Sequence, residues 1–378
     1  MAPDTPRPVP ALRGAALKGA MLATLAAIGL GWMGWQRLRP VRVAVGIDHP
    51  LLYGAGIDPS DRNTAQLFLE DHPHSPIRLV DQFNSVEPTQ APEDIQAVIE
   101  GGVRFFVTTQ ASSHAVPSQH LFANGEPALA INVSATSTQL SGQDDQFLRV
   151  IPDLALEQRA IARQMRQLPG RRLLVIQDTG NLAYTKPALA EFLRELQQGE
   201  DWQVTVHPQH LRSFDPRRHQ AVLAQPYDAL YVLGGGFNPL IGNICQWFHQ
   251  ANPEATIVLT PWARSPTIAA NAGPATSRIL IASPYPARGD NPVLDAYLAR
   301  FEERFGYEPY VMAIATRQAL ELLDQAFRQG HRSPSAVKRY LLGRREHPTS
   351  FGPIQFDASG DMQAQFHFIR QPTGQGPS

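Results

Sequence analysis

The sequence predicts an α/β protein built as two doubly wound parallel-sheet lobes. Three observations carry that expectation. After residue 40, strand-like and helix-like runs alternate along the chain, the pattern of parallel sheets covered by helices. Runs such as RRLLVIQD and ATIVLT have unbroken apolar centres (LLVI, IVL), as strands covered on both faces should. A chain of 378 residues is also long for one such sheet.

The elements follow in order. Residues 41–47 (VRVAVGI) read as a short strand and 64–70 as a helix. Strand 77–80, helix 95–100, strand 103–108 and strand 128–133 come next, and 147–151 reads as a strand crossing between lobes. A second series then runs helix 156–167, strand 172–177, helix 187–198, strand 203–207, strand 229–233 and helix 241–250. Strands 256–260 and 279–283 and helices 293–305 and 312–329 complete it. The tail 371–378 (QPTGQGPS) is too polar and too rich in Gly and Pro to pack, and disorder is expected there.

Residues 19–35 (GAMLATLAAIGLGWMGW) are uncharged, with Arg13 and Lys18 before them and Arg37, Arg39 and Arg42 after. A spanning helix needs about 17–25 residues, whereas a signal-peptide apolar region has about 7–15. The run ends in Trp32, Met33 and Trp35 rather than in the small residues of a cleavage site. Tryptophan suits a membrane–water boundary. An uncleaved signal-anchor preceded by a cytoplasmic tail (1–18) is expected, with a cleaved signal and a buried helix as alternatives. Both membrane readings place Arg42 onward on the extracytoplasmic face, periplasmic in a cell with two membranes.

Composition removes several function classes. The 33 Lys+Arg against 34 Asp+Glu give a net charge of −1, which offers no footprint for nucleic acid. The single Cys245 excludes an internal disulfide, a cysteine-built zinc site and, by its position, lipid attachment behind the apolar run. It falls in an apolar helical pattern and reads as an inert core residue. His72/His74 and His207/His210 lack metal-ligand spacing. Gly234-Gly235-Gly236 lacks the phosphate-loop frame, and no nucleophile elbow is present. His114 beside Ser113 has no evident third orienting group. Asp144-Asp145 reads as a solvated turn.

In open parallel sheets, ligands bind beyond the carboxyl ends of the strands. The loop after strand 103–108 is Thr108-Thr109-Gln110-Ala111-Ser112-Ser113-His114, and that after 128–133 is Ser134-Ala135-Thr136-Ser137-Thr138. Both are rich in hydroxyls and precede helix starts, so they suit either a bound carboxylate or plain N-capping. In the second series the loops DTGNLAY, GGGFNP and TPWAR offer Tyr184, Phe237 and Trp262, either as walls of a cleft or as ordinary packing.

These segments resemble a known family. EDIQAVIEGGVRFFVTTQASS, INVSATSTQLSGQDDQFLRVIPDLALEQRAIA, LLVIQDTGNLAYTKPALAEF and FGPIQFDASGD are similar to successive motifs of type I periplasmic binding proteins. Within that group they resemble the branched-chain amino-acid-binding (Leu/Ile/Val-binding) substrate-binding proteins of ABC transporters. The resemblance implies two lobes joined by a three-strand hinge that closes on a ligand. It implies lobe 1 at 41–150 plus 285–347 and lobe 2 at 151–284 plus 348–370.

The resemblance also places the ligand's carboxylate on Ser113, Ser134 and Thr136. Tyr184 and Phe237 stand as second-lobe aromatics, and Tyr53 as a first-lobe aromatic. One departure is chemical: the second-lobe loop Thr260-Pro261-Trp262-Ala263-Arg264 has no acid to hold an ammonium, and an uncompensated buried ammonium is very costly. Trp262 and Arg264 suit a carboxylate, amide or aromatic ligand better. The expected role is a monomeric, non-enzymatic solute-binding protein that needs no cofactor, delivers a small molecule to a membrane ABC transporter permease and is held by its N-terminal helix. The alternative is a membrane-anchored ligand sensor that works through a partner.

Overall fold

A computed structural model describes residues 40–46, 50–51, 56–57, 60–80, 89–198, 201–215, 217–234, 240–264 and 268–370. The apolar run 19–35, its flanks and the tail 371–378 lie outside the described residues. Among those described, no helix is long and apolar enough to cross a membrane.

The first part of the chain runs β1 (Val41–Gly46), the two-residue pair β2 (Pro50–Leu51) and β3 (Gly56–Ile57), α1 (Ser60–Asp71) and β4 (Ile77–Val80). It continues through α2 (Ala91–Glu100), β5 (Phe105–Thr108), α3 (Ser112–Ser118), β6 (Leu129–Asn132) and β7 (Phe147–Pro152). The second part holds α4 (Leu154–Arg166), β8 (Arg172–Asp178), α5 (Leu182–Leu196), β9 (Gln203–Gln209), α6 (Gln220–Leu223) and β10 (Ala229–Leu233). After these come α7 (Leu240–Ala251), β11 (Thr256–Leu259), α8 (Ile268–Ala272) and β12 (Ile279–Ser283). The chain closes with α9 (Pro292–Phe305), α10 (Val311–Arg328), α11 (Pro334–Leu342), β13 (Gln355–Phe356), β14 (Asp361–Gln363) and β15 (His367–Arg370).

These strands make two main sheets. One has the order β13-β14-β7-β6-β5-β1-β4 and the other β15-β12-β11-β10-β8-β9. All pairs are parallel except β13 with β14 and β15 with β12. The order reverses between β1 and β5 in the first sheet and between β8 and β10 in the second, which opens a crevice at each switch point. The chain passes between lobes after β7, after β12 and between β14 and β15, giving the three-strand hinge.

The elements form where local chemistry favours them. Asp153 caps α4 by accepting from Leu156 N (2.8 Å). Asn291 caps α9 through Val293 N and Leu294 N (both 3.1 Å), with Pro292 as its first residue. Gly306 ends α9 at φ 81°, a left-handed position that side chains resist. β5, β6, β10 and β12 are buried along their whole length, which explains their unbroken apolar sequences. Cys245 is fully buried in α7, and burial pushes its thiol pKa up, as befits a core residue.

Three expectations are corrected. Residues 355–363, assigned by sequence to lobe 2, pair in the first sheet; only β15 joins the second. Asp361 draws this segment in, because its carboxylate meets Arg149 on β7 (Nε–Oδ1 2.6 Å) with both side chains buried. The Asp144-Asp145 turn is only half solvated. Asp144 is exposed beside Lys338 Nζ (2.5 Å), whereas Asp145 is buried, accepting from Phe147 N (2.9 Å) and Gln119 Nε2 (2.8 Å). Finally, α5 begins at Leu182 rather than at Pro187. Proline suits a first turn, but here it sits inside the helix and forgoes a bond to the carbonyl of Ala183.

Candidate ligand-binding cleft

The first-lobe wall is a pair of loops stitched together beyond β5 and β6. Asn132, buried at the end of β6, donates from Nδ2 to Thr108 Oγ1 (2.9 Å) and to the carbonyl of Gln110 (3.0 Å). Its Oδ1 accepts from Ser134 N (2.9 Å) and Ala135 N (2.5 Å). Ser112 Oγ accepts from Ser137 N (3.1 Å), and Thr109 Oγ1 donates to Gly46 O (2.7 Å). Beneath them the Arg149 guanidinium donates to Ser137 O (2.9 Å), Ala135 O (3.3 Å) and Ser141 Oγ (2.5 Å). One side chain therefore braces the second loop at two points and the turn after it at a third.

Ser134 and Thr136 are 6% and 1% exposed, and neither hydroxyl has a hydrogen-bond partner among the described residues. Ser113 is half-buried, its Oγ 3.1 Å from His114 Nδ1. Ser112, its neighbour, is the structural member of the Ser-Ser pair.

The second-lobe wall lies beyond β8 and β11. Tyr184 is 1% exposed and faces inward from the first turn of α5, its hydroxyl donating to the Glu157 carboxyl. Trp262 is buried with its ring edge-on to Tyr184, centroids 6.3 Å apart. Glu157 also accepts from Gln158 Nε2 (2.7 Å), and Gln158 Oε1 accepts from Tyr231 (2.8 Å). Burial raises the Glu157 pKa to about 8, so this acid is mostly neutral at pH 7; the Tyr184 and Gln158 hydrogen bonds pull the other way. Burial likewise raises the Tyr184 and Tyr231 pKa values. Leu182, which opens α5, is 49% exposed. Tyr53 and Phe237 lie outside the described residues, so the structure brings together Ser113, Ser134 and Thr136 on one lobe and Tyr184 and Trp262 on the other.

Arg264 completes this wall at the end of the TPWAR loop. It is half-buried, and burial lowers its pKa, opposed by Glu308. Its guanidinium donates to Ser283 Oγ (3.4 Å), and no carboxylate among the described residues lies within ion-pair distance. Glu308 instead pairs with Arg288 (3.6 Å). The lobes touch where α3 meets α5, the helices that follow β5 and β8.

Glu157 and Gln110 were not singled out from sequence. Glu157 had a readable signal. On α4 the buried positions are Leu154, Glu157, Gln158, Ile161, Ala162 and Met165, so two polar residues occupy an apolar stripe. Gln110 gave none, because it sits in a loop without periodicity.

No family model and no curated protein sequence matches the chain. Solved structures match it widely. A leucine-binding protein LivK from Thermotoga maritima is 19% identical with a TM-score of 0.73, over 87% of this chain and 97% of that one. The fold is that of a type I periplasmic binding protein. A solute-binding protein of an ABC transporter from Rhodopseudomonas palustris, solved with 3,4-dihydroxybenzoic acid, is 16% identical (TM-score 0.74; 88% and 93% covered). Another from R. palustris, in complex with benzoate, is also 16% identical (TM-score 0.73; 89% and 94%). The type I neighbours thus include proteins solved with aromatic acids as well as a leucine-binding protein.

Proposed function

We propose that the protein is an extracytoplasmic solute-binding protein that captures a small carboxylate between its lobes for a membrane ABC transporter. The observation that carries this reading is Arg264, a half-buried guanidinium with no carboxylate partner among the described residues, set on the lobe opposite the unused hydroxyls of Ser134 and Thr136. A buried charge is stable only when paired, and a ligand anion is the missing pair. An α-amino acid is disfavoured: the loop has no acid, and Glu157 is mostly neutral and already committed to Tyr184 and Gln158. The buried aromatic edge of Trp262 and the exposed Leu182 favour a ligand with an apolar body.

The solved neighbours with aromatic acids support the carboxylate class, and their transporter role supports a permease partner. Residues 19–35 supply the membrane attachment in this reading.

A thermal-shift screen of the full chain tests it. Benzoate and 3,4-dihydroxybenzoate should raise the melting temperature, since a ligand at a hundredfold excess over its Kd stabilises by about 2.7 kcal/mol. Leucine should not. A shift with leucine and none with benzoate or 3,4-dihydroxybenzoate would overturn the reading.

A further inference from the structure

Gln110 stands two residues beyond β5, at the switch point of the first sheet. It is 1% exposed, yet neither its Oε1 nor its Nε2 has a hydrogen-bond partner among the described residues. The other carboxamides of this lobe's interior are satisfied. Asn132 makes four bonds, and Gln146 Nε2 donates to Glu126 O (2.5 Å) and Ala128 O (2.9 Å). The backbone around Gln110 is pinned by Asn132, by Thr109 on Gly46 and by Ser112 on Ser137. An unmet buried amide is costly, so a partner beyond the described residues is called for.

We infer that Gln110 is a specificity-determining residue, pairing with a hydroxyl on the body of the bound carboxylate. This rests on the carboxylate reading above. The choice of group follows from hydrogen-bond inventory: Oε1 needs a donor and Nε2 an acceptor. A second carboxylate would serve Nε2 and leave Oε1 facing negative oxygen, and an ammonium would serve only Oε1. A hydroxyl donates and accepts. A site built around such a group rejects the analogue that lacks it, because the site's own polar atoms are then left unpaired.

Calorimetry on the full chain tests this with benzoate, the three monohydroxybenzoates and 3,4-dihydroxybenzoate, on the wild type and on Gln110→Leu, which keeps the volume and removes both polar atoms. Gln110→Met replaces it if the leucine variant does not fold. At least one hydroxylated acid should bind the wild type about tenfold or more tighter than benzoate. The variant should lose that preference while its benzoate affinity changes less than about threefold. Equal binding of benzoate and all hydroxylated acids by the wild type would overturn the inference and leave the carboxylate reading standing. Uniform weakening of every acid in the variant, or a preference it retains, would do the same, Gln110 then being structural or satisfied by water. If no acid binds, the carboxylate reading fails and this inference falls with it.

Discussion

Glu157 shows how much one side chain can couple folding to pH. Its carboxyl has a reference pKa of 4.5 and is raised to about 8 in the fold. The folded chain holds this proton more tightly than the unfolded chain. The group's cost is therefore absent below about pH 4.5 and grows as pH rises towards 8, at up to about 1.4 kcal/mol per unit. Glu157→Gln should flatten the fall in stability between pH 5 and 8, measured by urea denaturation at both values. An unchanged slope would show that the carboxyl is not proton-coupled to folding. At the same scale, Thr136→Ala should weaken carboxylate binding by about 1–3 kcal/mol, since its hydroxyl is unused inside the protein. Unchanged affinity would remove Thr136 from the site.

Between elements, the buried Arg149–Asp361 pair links β7 to β14 and braces the Ser134–Thr136 loop. Arg149→Met should cost about 3–5 kcal/mol in denaturant unfolding, because it leaves Asp361 buried without its cation. Arg149→Met combined with Asp361→Leu should cost less than the single change; a greater cost for the pair would contradict that account. Gly360, before Asp361, sits at φ 90°, and a Cβ there would lie 3.0 Å from Leu148 Cγ. Gly360→Ala should therefore also destabilise the fold, by roughly 1 kcal/mol or more.

These links explain what was legible. Strands such as 229–233 and 279–283 could be read to the residue because both faces are covered along their whole length. The FLRVIP and FDASGD motifs were visible, but not that their Arg and Asp meet, because that contact depends on tertiary pairing across 212 positions. Short β13 and β14 carry no periodicity of their own, so their sheet could not be assigned. The hydroxyl loops were legible by composition. Tyr184 was found as a residue but not as an inward-facing one, since that depended on a helix start hidden by Pro187.

Over the whole molecule, two lobes joined by three crossovers meet where α3 packs against α5. A ligand that pairs with both lobes favours closure by its differential affinity for that state. Saturating benzoate should lower the radius of gyration seen by small-angle scattering, and Arg264→Gln should remove that change. In this proposal the cleft holds an anion and has no place for an ammonium, and the Kd values of benzoate and leucine for the wild type and for Arg264→Gln decide the matter. Benzoate should bind the wild type and lose about 1.5–3 kcal/mol in the variant, with leucine binding neither. Leucine binding to the wild type, or benzoate binding indifferent to Arg264, would contradict it.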